Sequence, residues 1–160
     1  IEEILGPIDK KIISWVGDIN NVLIPLIQAS QIFQFTLRIA TPKEILLKNK
    51  NLISKYNSKR IYYSNSPHEV VAEADCVMTD VWLSMGEKNS NKKKKILKNF
   101  QINDSLMDYA KKEAIFMHCL PAHRNDEVTD SVIDGKQSVV WQQAKNRMYI
   151  QQSILNFCIN

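Results

Sequence analysis

Short β-rich runs alternate with helix-like segments along nearly the whole chain, and this alternation limits the fold more than any other feature. Residues 11–16, 35–39, 60–63, 75–79, 114–117 and a short run at 138–141 read as strands. Between them, 22–33 carries apolar residues at helical spacing, and 42–56 starts with a proline in its first turn. Ser66-Pro67-His68-Glu69 opens a further helix with a capping box, and 103–111 and 142–157 complete the set. Strands alternating with helices predict an α/β domain with an open, mainly parallel sheet and helices on both faces, a three-layer α/β/α arrangement. The strands are almost continuously apolar, as burial on both faces requires.

At 160 residues, 44% of them hydrophobic, the chain is long enough for one domain with its own core. The topology is Rossmann-like, which invites a nicotinamide cofactor. The chain has only four glycines and no Gly-x-Gly-x-x-Gly, so the close phosphate approach of that fingerprint is missing and no cofactor is expected. No run approaches the roughly 18 apolar residues of a membrane span, so no membrane partner is expected. The start, Ile1-Glu2-Glu3-Ile4, has neither an initiating Met nor a signal peptide, and reads as the edge of a piece of something longer. Cys76, Cys119 and Cys158 are odd in number and far apart, with no Cys-x-x-Cys, so neither a metal site nor a disulfide framework is indicated. Reduced thiols fit a cytoplasmic protein, or an organelle matrix. Net charge is +4, and Lys92-Lys93-Lys94-Lys95 is its densest basic run. That run lies in a polar segment, 86–100, without interleaved aromatics; it reads as a solvated loop and no nucleic-acid partner is expected.

Three polar groups fall just after predicted strands: Asp18, Asp80 and Cys119. In open α/β sheets the carboxyl ends of strands are where ligands bind, so their common placement points to one site. Asn20 and Asn21 open the first helix, where an Asn either caps the helix or, with the helix N-terminus, seats a carboxylate. Asp80 is either a turn cap or a charge held for a cation. Cys119, in Met117-His118-Cys119-Leu120-Pro121-Ala122-His123-Arg124, is either a small buried hydrophobe or a proton-handling thiol. His118 and Cys119 are adjacent on a strand and point to opposite faces, which argues against a Cys–His pair. His123 reads as a solvated loop residue. Arg147, one of four arginines, is either solvated or a planar fork for an anion.

The residues His118-Cys119-Leu120-Pro121 resemble the His-Cys-Leu-Pro loop of ornithine carbamoyltransferases. Asp80-Val81-Trp82-Leu83-Ser84-Met85-Gly86 is similar to that family's Asp-x-x-x-Ser-Met-Gly loop. Gly17-Asp18-Ile19-Asn20-Asn21 resembles its Gly-Asp-x-Asn-Asn turn, and Ala144-Lys145-Asn146-Arg147 its Ala-x-Asn-Arg helix start. The four occur in the family's order, and the resemblance runs from about residue 11 to 155. It implies that 1–160 is the ornithine-binding domain, with helix 142–157 docking on an absent carbamoyl-phosphate domain. It implies transfer of a carbamoyl group from carbamoyl phosphate to the δ-amine of L-ornithine, giving L-citrulline and phosphate, with no cofactor. By this resemblance Asn21, Asp80, Ser84 and Met85 bind ornithine, Met85 through its backbone N–H. His118, Cys119, Leu120 and Arg147 bind carbamoyl phosphate, and Cys119 and Asp80 are catalytic. The full-length enzyme is expected to be a homotrimer.

The chain also departs from the family pattern. Ile19 stands where a small residue is common, Pro25 falls inside the first helix, and the segment after Gly86 is Lys-rich rather than acidic. The family's phosphate-binding Ser-Thr-Arg-Thr-Arg motif is absent, because it belongs to the other domain. Two further readings therefore stand beside the first: a non-catalytic amino-acid-binding fragment, including the product of a decayed gene, and a sister enzyme acting on acetylornithine or putrescine.

Overall fold

A computed structural model describes residues 1–56, 58–83 and 90–159, without the side chain of Ser90. Its five strands are β1 (Ile12–Val16), β2 (Thr36–Ala40), β3 (Ile61–Ser64), β4 (Cys76–Thr79) and β5 (Ile115–His118). They form one all-parallel sheet in the order β3-β2-β1-β4-β5. The helices are α1 (Glu2–Leu5), α2 (Leu23–Phe33), α3 (Lys43–Lys48), α4 (Lys50–Lys55), α5 (Pro67–Val71), α6 (Ser90–Leu97), α7 (Asp104–Met107), α8 (Asp130–Ile133) and α9 (Val140–Ile159).

The expected α/β class is what forms, and the alternation of side chains along each strand explains why both faces are covered. Ile13, Trp15, Leu37, Ile39, Cys76, Met78 and Ile115 face one layer and pack with Leu23 and Ile27 of α2. Val16, Ala40, Val77 and Phe116 face the other, with Val70 and Val71 of α5, Leu106 and Met107 of α7, and Val132 and Ile133 of α8. Ser14 is the polar exception in the middle of β1. Its Oγ donates to the Val70 carbonyl at 2.6 Å, and Arg38, its register partner on β2, donates to the Ala72 carbonyl at 2.7 Å. Both bonds satisfy carbonyls at the end of α5 that the helix itself leaves open.

Four expectations need correction. The segment 138–141 is not a sixth strand: Ser138 makes an isolated bridge to Phe116, and α9 begins at Val140. Its two valines look β-prone, but the residues after them are good helix formers, and Gln143 N–H already donates to the Val139 carbonyl. Residues 42–56 form two helices rather than one, broken at Asn49, whose side-chain amide takes the Ile45 carbonyl. The helix expected at 103–111 stops at Met107, and the next residues pair with the connection between α5 and β4: Glu73 N–H donates to Tyr109 O and Lys111 N–H to Ala74 O. The Lys-rich segment is not a loop in its described part. It forms α6 and a 3₁₀ turn (Lys98–Phe100), anchored by buried Leu97 and Phe100. The short helices α1 and α8 have no counterpart in the sequence reading.

The helix expected at 142–157 is present within α9, and its apolar residues lie in the open: Trp141, Ile150, Ile154, Leu155 and Phe157 are all more than half exposed. Among the described helices none is long and apolar enough to cross a membrane. The exposed stripe should make the chain bind an apolar reporter dye. Replacing Ile154 and Phe157 together by Lys should remove much of the dye fluorescence while leaving the unfolding free energy from urea titration within about 0.5 kcal/mol of wild type, since neither side chain is in the core.

Candidate functional site

β1 and β4 are sequence-distant neighbours at the centre of the sheet, so the chain reverses its direction of winding between them. The crevice outside their carboxyl ends is the position at which such sheets bind ligands. The ends are tied together: Thr79 Oγ1 donates to the Val16 carbonyl at 2.6 Å. Gly17 fits there because it lacks a side chain. Its φ is 140°, and a Cβ would sit 3.3 Å from Thr79 Oγ1. Trp15 Nε1 then donates to the Asp18 carbonyl at 2.8 Å, and the Asp18 carboxylate meets Lys93 of α6 at 2.6 Å.

Asp80 is the hub of this edge. It is only 7% exposed, and its two oxygens are held from two directions. Cys119 Sγ donates to Oδ1 at 2.9 Å, and Asn20 Nδ2 donates to Oδ2 at 2.7 Å. A buried carboxylate is tolerated only when hydrogen-bonded in this way. Asn20 is itself fixed, because its Oδ1 accepts from the N–H groups of Val22 and Leu23 at 3.0 and 3.1 Å, capping α2. Three loops, after β1, β4 and β5, thus meet at one carboxylate.

Cys119 is half-buried, and its thiol is pushed up to about 12. Burial is the largest cause, followed by the hydrogen bond to Asp80 and the charge of Asp80; the Arg147 charge pulls the other way. At neutral pH this sulfur is therefore a protonated donor. Arg147 is exposed on α9, near enough for its charge to act on the thiol. Asn21 is exposed at the entrance to α2. Ser84 and Met85 lie outside the described residues.

His118 is buried and both its ring nitrogens are engaged. Nδ1 accepts from Leu120 N–H at 2.9 Å, and Nε2 faces Glu127 Oε1 at 3.2 Å. Leu120 has φ 54°, and the Leu120–Pro121 peptide is cis. The His123 ring is exposed, as expected, while the His123 backbone N–H donates to Glu127 Oε1 at 2.6 Å. Donor atoms of Asp80, His118 and Cys119 lie within 4.8 Å of one another, the only such group among the described residues. All three are already engaged in hydrogen bonds within the chain: both His118 nitrogens, both Asp80 oxygens and the Cys119 thiol. Sequence reasoning missed two residues here. Glu127 sits in an ordinary-looking acidic stretch with no motif around it. Lys93 belongs to a run that looked solvated, and only its tertiary partner distinguishes it.

Two thiols titrate from raised positions, Cys119 and the fully buried Cys76, each pushed to about 12 from an ordinary 9.0. The folded state therefore keeps protons that the unfolded state releases first. Stability should be intact below about pH 9 and fall as pH rises from about 9 towards 12. Urea unfolding across that window should show this slope, and Cys119→Ser should make it shallower.

Comparison with known proteins gives a consistent result. The family model described as aspartate/ornithine carbamoyltransferase, Asp/Orn binding domain, matches residues 9–158. An ornithine carbamoyltransferase of Rhodopseudomonas palustris (strain BisA53) is 50% identical over 159 residues, covering 98% of this chain and 51% of that protein. The crystal structure of ornithine carbamoyltransferase from Burkholderia thailandensis superposes with a TM-score of 0.85 at 39% identity, covering 98% of this chain and 50% of that one. The enzyme from Pyrococcus furiosus gives a TM-score of 0.82 at 38% identity, covering 97% and 51%. The chain spans about half the length of the curated relatives it matches.

Proposed function

The chain belongs to the aspartate/ornithine carbamoyltransferase family, as its Asp/Orn-binding domain, and from that premise we propose that it supplies the ornithine-binding half of an ornithine carbamoyltransferase. The reaction moves the carbamoyl group of carbamoyl phosphate to the δ-amine of L-ornithine. A C–N bond forms, the bond from carbamoyl carbon to phosphate oxygen breaks, and citrulline and phosphate leave. The observation that carries this reading is the buried Asp80 carboxylate held by Cys119 and Asn20 at the carboxyl edge of the sheet.

The chemistry follows from what those groups can do. An ammonium has no lone pair, so the δ-amine has to lose a proton before it attacks. The Asp80–Cys119 pair is the local acceptor. Because the thiol is already protonated, the carboxylate takes the proton and the thiol positions it. Asp80 also offers its charge to ornithine's α-ammonium, with Ser84 and the Met85 N–H as further contacts. Asn21, at the N-terminus of α2, takes the α-carboxylate. Carbamoyl phosphate meets the Arg147 fork and the turn at His118, Cys119 and Leu120. Since the His118 ring and the Leu120 N–H are engaged within the chain, that turn contributes its carbonyl oxygens. No metal or organic cofactor takes part. The partner is a carbamoyl-phosphate domain docked along the exposed face of α9, within a cytoplasmic homotrimer.

The test is citrulline formation by the chain alone and with a supplied carbamoyl-phosphate domain. Alone it should give no turnover, for want of a phosphate cradle. With the second domain, Asp80→Asn should weaken ornithine binding by about 2–4 kcal/mol while leaving carbamoyl phosphate binding nearly intact. Cys119→Ser should lower turnover by about 10²-fold. Wild-type ornithine kinetics in both variants would overturn the assignment.

A further inference from the structure

Glu127 is fully buried, yet the chemistry proposed above does not use it. Its Oε1 accepts from two groups at opposite ends of one turn, His118 Nε2 at 3.2 Å and His123 N–H at 2.6 Å. Its Oε2 is buried and has no hydrogen-bond partner among the described residues, and the His123 ring nitrogen stands 4.0 Å away. Burying a carboxylate with one oxygen unsatisfied is unfavourable, and an apolar side chain of similar volume would be easier to accommodate. The carboxylate is therefore best understood by what it holds. It spans the turn from His118 to His123 and closes the loop that contains Cys119.

The His118 ring carries this constraint onward. Leu120 N–H points at Nδ1 from 2.9 Å, so Nδ1 bears a lone pair and the ring proton sits on Nε2, facing Glu127. The ring is neutral, and each nitrogen fixes a different part of the turn. Cys119 lies between the two anchored residues, with its sulfur 2.9 Å from Asp80.

We propose that Glu127 is a positioning residue: through His118 it sets the turn that aims the Cys119 thiol at Asp80, and so presets the amine-handling pair of the ornithine site, an inference that rests on the reading of function above. It touches no substrate and acts only through the turn.

The chain's three cysteines provide the test. Cys158 is exposed and reports the intrinsic rate of a thiol reagent; Cys76 is fully buried and reports global opening. Iodoacetamide labelling of the 160-residue chain, read for each cysteine by peptide mass spectrometry, should find Cys119 slower than Cys158 and Cys76 silent. Glu127→Gln keeps the volume but removes the charge and one acceptor. It should raise the Cys119 rate relative to Cys158 by about tenfold, the loss of one charge-assisted hydrogen bond, with Cys76 still silent. An unchanged ratio with Cys76 silent overturns the proposal. Should Glu127→Gln label all three cysteines by unfolding, nitrogen NMR of the unmodified chain decides. A His118 ring protonated at Nε2 and accepting at Nδ1 supports the proposal, and the opposite tautomer overturns it. Neither readout involves ornithine or carbamoyl phosphate, so failure here is distinguishable from failure of the functional reading.

Discussion

A parallel strand buried on both faces and bonded on both edges has almost nowhere to place a polar side chain except at its ends. β1 is in that position: it pairs with β2 and β4, and Ile13, Trp15 and Val16 are fully buried. Its one polar interior residue, Ser14, survives because the end of α5 supplies a carbonyl. The remaining polar groups are pushed beyond the strand ends. There they meet those leaving β4 and β5, since parallel strands all finish on the same side. The convergence of Asp18, Asn20, Asp80 and Cys119 follows from the sheet's direction and needs no separate device to gather them.

This also explains what the sequence disclosed. Strand cores were legible because their burial is written in continuous apolar runs. The placement of Asp80 and Cys119 was legible because each directly follows such a run, and Asn20 could be weighed as a helix cap because capping is local. What stayed hidden had no signature in residue type or spacing. Asn49 breaks a helix pattern through its own amide, and 138–141 lost to α9 a contest between local propensities that differ little. Glu127 has no marker in its neighbours, because its importance lies in reaching back nine residues to His118.

The lysine run shows the same limit from the other side. As sequence it is a block of like charge, and solvation is the ordinary fate of such blocks. In the fold, consecutive lysines diverge around α6. Lys93 goes to Asp18, beside the end of β1, and Lys94 to Asp126, beside the turn that follows β5. One helix is thereby bridged to the loops that follow two different strands.

Asn20 joins two processes that are normally separate. Its oxygen nucleates the first turn of α2 while its nitrogen orients the Asp80 carboxylate. An amide group is planar and rigid, so neither end can rotate without the other. Fraying of the helix and swinging of the carboxylate are consequently one motion. A ligand that grips Asp80 in its present orientation therefore also bears, through Asn20, on the first turn of α2.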